Sequence, residues 1–149
     1  MTVLSLVTPP PPLLTVAEVQ EHLRAPAGHE DGLYAHMLAG AEALIDGWTG
    51  ILGRAVLSQV WRQDFTGSAG RLRLAMMDVV SVEVKAFDGA GDLIPGTVWT
   101  LGRDACGWYV DLTAPAAERS EVECTCAMPG HLVPRVKAAV KMILGHWNL

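Results

Sequence analysis

A chain of 149 residues, half of them hydrophobic, is long enough to bury a sizeable core without metal or disulfide staples. Charged residues make up 18% and the formal net charge is -5, which excludes an acidic disordered tail and argues against a protein that wraps nucleic acid. Few Lys and Glu beside five Trp favour a surface covered by other protein, because interfaces are depleted in the former and enriched in aromatic residues.

The chain begins with an uncharged extended segment, Thr2 to Val7, followed by Pro9-Pro10-Pro11-Pro12, a stiff polyproline spacer. The prolines interrupt the apolar run before a signal core or a membrane span can form. With three cysteines, an odd number, this points to synthesis and retention in a reducing cytoplasm. The arm has two open placements: back on its own domain or across a neighbouring subunit.

Thr15-Val16-Ala17-Glu18 is a capping box, with Leu14 and Val19 as the hydrophobic staple. It predicts a first helix to about Arg24 with Val16, Val19 and Leu23 inward, ended by Pro26-Ala27-Gly28. Asp31 is the predicted cap of a longer helix whose stripe is Leu33, Met37, Leu38, Ala41, Leu44, Ile45 and Trp48, with Gly50 as the stop.

Beyond Gly50 the period becomes alternating. Val56 to Phe65, Arg71 to Leu74, Val79 to Phe87, Val98 to Leu101, Trp108 to Leu112 and Glu121 to Ala127 read as strands separated by short turns. Val80, Val82, Val84 and Ala86 are expected on one face of their strand, with Asp88-Gly89-Ala90-Gly91-Asp92 as a hairpin tip. Connections this short leave no room for crossover helices, so the sheet is expected to be antiparallel.

The chain closes on an amphipathic helix behind Pro134, with Val136, Val140, Ile143, Leu144 and Trp147 on one stripe and Arg135, Lys137 and Lys141 off it. The fold class is therefore α+β: two N-terminal helices, a central antiparallel β meander and a C-terminal helix. In domain terms, residues 1–14 form an arm with its spacer and 15–149 one α+β domain, with helices over about 15–50, strands over about 55–127 and the last helix over about 134–149.

Chemistry-bearing patterns are weak. Cys124-Thr125-Cys126 would put two thiols on one strand face, but the spacing is not that of a zinc pair, and buried free Cys is a small hydrophobe. His22, His29, His36, His131 and His146 are scattered without a partner motif. Gly67-Ser68-Ala69-Gly70 lacks the Lys and following helix of a phosphate loop and reads as a turn. Asp64, Asp78, Asp88, Asp92, Asp104 and Asp111 fall at strand ends or turns, where Asp bonds local backbone. No catalytic, metal or cofactor-binding residue is assigned.

The order of segments nonetheless resembles a known family. Leu6-Val7-Thr8-Pro9-Pro10, then Thr15-Val16-Ala17-Glu18 with His22-Leu23-Arg24, then Trp48-Thr49-Gly50 and Arg54-Ala55-Val56-Leu57-Ser58-Gln59-Val60-Trp61 are similar to stretches of the head-tail connector, or head-completion adaptor, proteins of long-tailed phages and gene transfer agents. Val79-Val80-Ser81-Val82, Val133-Pro134 with Lys137-Ala138-Ala139, and Leu144-Gly145-His146-Trp147 continue the likeness along nearly the whole chain. The match departs at Ile51-Leu52-Gly53, a longer turn, and at the C-terminus, where relatives continue past His-Trp with a Tyr and a charged extension. The latter leads to the expectation of a shorter partner contact or one made through the arm.

The resemblance implies a non-enzymatic structural subunit of a homo-oligomeric, dodecameric ring below the portal of a phage-like particle, assembled in the bacterial cytoplasm. It implies contacts with the portal protein and with the next tail-side stopper or tail-terminator protein. DNA would pass the channel without specific binding, and neither cofactor nor membrane is involved. By position, Arg135, Lys137, Lys141, His146 and Trp147 are the candidates for the portal contact. The alternative reading is a stand-alone ligand-binding or enzymatic α+β domain.

Overall fold

A computed structural model describes residues 3–67 and 70–148. In chain order the elements are β1 (Val3–Thr8), α1 (Val16–Leu23), α2 (Asp31–Ile45), β2 (Gln59–Thr66), β3 (Arg71–Arg73), β4 (Val79–Phe87), β5 (Val98–Asp104), β6 (Gly107–Thr113), β7 (Arg119–Cys126) and α3 (Val133–Trp147). The fold is α+β with a C-terminal helix, as the periodicities predict. Two compact units divide the chain: a sheet unit of residues 1–9 and 58–127, and a helical unit of residues 10–57 and 128–149.

In the helical unit, Thr15 and Glu18 form the capping box reciprocally: the Thr15 amide donates to the Glu18 carboxylate at 2.7 Å and the Glu18 amide to the Thr15 hydroxyl at 3.2 Å. Leu14, Val19, Leu38, Ala41, Ile45, Val136, Val140 and Leu144 form the core, with Val56 and Met128 beside them. Full burial of such side chains is worth roughly 1.5–3 kcal/mol each before entropy is counted. The Glu42 carboxylate accepts the Leu13 amide, fixing the chain just after the prolines.

Several local readings differ from expectation. Asp31 is not the cap of α2; Glu30 holds that position in the left-handed region at φ 51°, and the Asp31 carboxylate accepts from the buried Gln20 side chain at 2.6 Å. Gln20 also donates to the His29 carbonyl, so a polar residue on the inner face of α1 ties down the α1–α2 loop. The helix ends a turn before Gly50. There the chain folds back so that the Ile51 and Leu52 amides reach the carbonyls of Leu44 and Ile45, and a Cβ at residue 50 would lie 2.3 Å from the Asp46 carbonyl oxygen. Gly50 thus permits the close turn in which the Ile51 and Leu52 amides satisfy the last carbonyls of α2.

In the sheet unit, one sheet has the order β1-β2-β7-β4 and the other β3-β6-β5, antiparallel throughout. β7 runs between β2 and β4, a non-sequential neighbour of both. The N-terminal segment takes the first of its two open placements: β1 pairs with β2 from Val3 opposite Asp64 to Leu6 opposite Trp61. Val80 does not share a face with Val82 and Val84; a bulge between Val79 and Ser81 buries Val79 and leaves Val80 65% exposed. The Asp88–Asp92 tip is a tight turn, its Asp88 carboxylate accepting the Ala90 and Asp92 amides. Of the glycine-rich turn after β2, Ser68 and Ala69 lie outside the described residues, as does Leu149.

Two buried glutamines of the sheet unit are paired. Gln63 spans from β2 to the Arg73 carbonyl and the Ala75 amide, and Gln59 accepts the Trp61 indole N–H at 2.7 Å. Each satisfied donor avoids a desolvation cost of about 1–3 kcal/mol.

Candidate assembly surface

Pro134 in the first turn and Val133 at its start open α3, and Val136, Val140 and Leu144 pin it to the core of the helical unit. That anchoring fixes where the five candidate contact residues point, and it divides them. Helical periodicity puts Arg135, Met142 and His146 on one outward face, and all three are exposed, Met142 at 74%. Lys137 and Lys141 lie on a second flank, half-buried and close enough to α1 to act on Glu18. The Glu18 carboxyl is held below its usual range chiefly by the Thr15 backbone N–H, with the Thr15 hydroxyl and both lysines adding to the effect against some desolvation. These lysines are therefore partly engaged within the unit.

Trp147 takes a third direction. Its ring sits over Gly40 of α2, where a Cβ would meet it at 3.7 Å, yet 46% of the residue stays exposed. By helical spacing Gly40 lies beside Leu33 and Leu44, two residues of the stripe that the sequence places in the core. The α2 stripe splits: Tyr34, Leu38, Ala41 and Ile45 face inward, while Leu33 and Leu44 are 52% and 44% exposed and Trp48 and Ile51 follow bare in the next turn. The signal available in sequence was its width, since a stripe spanning Leu33, Met37, Leu38, Ala41, Leu44 and Ile45 exceeds what one helix face can bury.

The sheet unit contrasts with this surface. It holds most of the chain's carboxylates, and among the described residues its cations are all engaged. Arg71 is bidentate to Asp111 and Arg73 to Asp104, with Arg71 stacked 3.8 Å from the Tyr109 ring centroid. Arg62 pairs with Asp64, Lys85 with Glu83, and Arg119 with Glu121, while Arg103 lies over Trp108. Asp104 and Asp111 thus clamp arginines, beyond the strand-end and turn roles that the sequence suggests, and Asp104 also keeps the expected local bond by accepting the Cys106 amide at 2.9 Å. The Arg73 hydrogen bonds pull the Asp104 carboxyl down to about 2, and Arg71 lowers Asp111 in the same way.

Cys124 and Cys126 are buried side by side on the inner face of β7. Desolvation pushes both thiols up to about 12, which leaves them protonated and unreactive. His131 is exposed in the short turn before α3, and among the described residues no three His, Cys, Asp or Glu side chains converge on a point that could hold a metal ion. None of the described helices is long and apolar enough to cross a membrane.

No family model matches the chain, and no curated protein matches it. A solved structure does: the neck of an empty gene transfer agent particle, computed with C6 symmetry, superposes with a TM-score of 0.68 at 25% identity over 97% of this chain and 83% of that one. This chain resembles a particle neck protein. The likeness takes in both units, from β1 through α3, and its source is a structural component of a phage-like particle with rotational symmetry.

Proposed function

We propose that this chain is a head-tail connector subunit that oligomerises into a ring below the portal of a phage-like particle, joins capsid to tail and extends the DNA channel. The observation that carries the reading is the agreement of nearly the whole chain with a gene transfer agent neck component. Both units serve one connector subunit, and the role is structural, without catalysis or cofactor. C6 symmetry in the neighbour favours a homo-oligomeric ring, with the dodecamer as the copy number that the family resemblance implies.

In this reading Arg135 and His146, with Met142 between them, and the half-bare Trp147 meet the portal, supported by Lys137 and Lys141. The opposite side of the ring receives the next tail-side stopper or terminator protein. Engaged cations suit the sheet unit to a channel that DNA traverses without binding, because a free Lys or Arg that neutralises a phosphate gains counterion-release free energy and retards the duplex. Mixing the purified chain with its portal and measuring the mass and negative-stain images of the product tests the reading. A closed ring on the portal supports it; a chain that never joins portal or particle refutes it.

A further inference from the structure

The β1-β2-β7-β4 sheet has two open edges, and they differ from edges that proteins ordinarily leave in water. Exposed edge strands are usually blunted by charge, proline or bulges, because a bare row of N–H and C=O groups pairs with whatever strand approaches. Val3–Thr8 contains no charged residue, and the register shift between Leu6 and Thr8 leaves Val3–Leu6 in regular pairing. Its backbone bonds to β2 alone among the described residues. Leu6 lies on the core-facing side opposite Trp61, yet it is 45% exposed where Trp61 is 7% exposed, and among the described residues no further strand pairs beyond β1.

At the other edge, β4 pairs with β7 along its length and on its outer side meets only the Leu93–Ile94 return near Ala86 and Phe87. Val79 to Lys85 is open on that side among the described residues. Val82 is on the core-facing side and only half-buried, and Val80 is 65% exposed.

Direction makes these edges complementary. With strand order β1-β2-β7-β4 and every neighbour antiparallel, β1 and β4 run in opposite senses. A head-to-tail repeat that preserves strand direction therefore brings β1 of one copy antiparallel to β4 of the next, continuing the pattern of the sheet and setting Leu4 and Leu6 beside Val82 and Val84. A contact between two β1 edges would require a two-fold axis and would close as a dimer, not a ring. We propose that copies of this chain join edge to edge, β1 of each subunit pairing with β4 of its neighbour, so that the sheets run on as one around the assembly. The inference rests on the ring reading above and specifies its subunit contact.

The test uses the full chain assembled on its portal. In a Cys106→Ser background, Ser5→Cys is combined in turn with Ser81→Cys, Glu83→Cys and Lys85→Cys, all on the outer face of the sheet, where facing Cβ atoms of paired strands come within reach of a disulfide. Oxidation of the rings is expected to give a ladder of covalent multimers for at least one pair and none from unassembled chain. Amides of residues 3–8 are expected to exchange at least tenfold more slowly in the ring. A ring with no cross-link from any pair and unchanged β1 exchange overturns edge pairing and leaves the ring reading standing. Covalent dimers from Ser5→Cys alone overturn it in favour of a two-fold contact, and failure to form any ring overturns both.

Discussion

The Tyr109 ring fills the space in which residue 102 would carry a side chain: a Cβ built on Gly102 would lie 2.4 Å from the Tyr109 Cζ. The two residues are cross-strand partners on β5 and β6, and Arg71 stacks on the ring from the neighbouring β3. Gly102→Ala must therefore displace Tyr109 from Arg71. The expected cost is about 1–2 kcal/mol, seen as a fall in Tm. In a Tyr109→Ala background the same substitution should cost nearly nothing, a non-additivity that calorimetry on both single variants and the double variant measures.

Gly50→Ala should be more severe, because the atom it would strike is backbone. The Asp46 carbonyl oxygen lies 2.3 Å from the new Cβ, and relief requires opening the turn that returns the Ile51 and Leu52 amides to α2. A loss of about 3 kcal/mol is expected, measurable by urea unfolding.

Asp104 and Asp111 give acid stability a definite window. Their folded-state carboxyls titrate below the unfolded value of about 3.9, Asp104 at about 2. Stability from these pairs is present above the unfolded value and is lost as pH falls through the folded one. Asp104→Asn should lower Tm at neutral pH only modestly because the pair is exposed, and should flatten the dependence of Tm on pH between about 4 and about 2 by the same amount, so that variant and parent converge in acid. An unchanged acid slope would show that other carboxylates govern it.

The cysteines should divide by reactivity. Cys106 is exposed at the β5–β6 turn, whereas Cys124 and Cys126 are buried with thiols pushed up to about 12. A thiol reagent at neutral pH is expected to label Cys106 alone in the folded chain and all three in denaturant, read by intact mass. Rapid labelling of Cys124 without unfolding would contradict the packing of β7.

How far the sequence is legible follows from which residues obey a period. The capping box at Thr15, the Val136-Val140-Leu144 stripe and the Val79–Phe87 strand all appear where local chemistry puts them, because each depends on neighbours in the chain. Non-local facts were not encoded that way. That β7 inserts between β2 and β4, that Val80 is turned out by a bulge, and that Asp104 and Asp111 reach Arg73 and Arg71 on another strand all depend on pairings between distant segments. The candidate surface was half legible: basic residues off the α3 stripe are visible in sequence, but the bare Leu33, Leu44 and Trp48 were hidden in a stripe that reads as core.

Trp147 is the most direct probe of the account, since it rests on Gly40 yet remains 46% exposed at the end of α3. Binding of Trp147→Ala to the portal, measured beside its melting temperature, tests whether that surface works by contact. The account predicts at least a tenfold loss of portal attachment with a stability loss below about 2 kcal/mol. Full attachment with a large fall in Tm would contradict it and make Trp147 a packing residue alone.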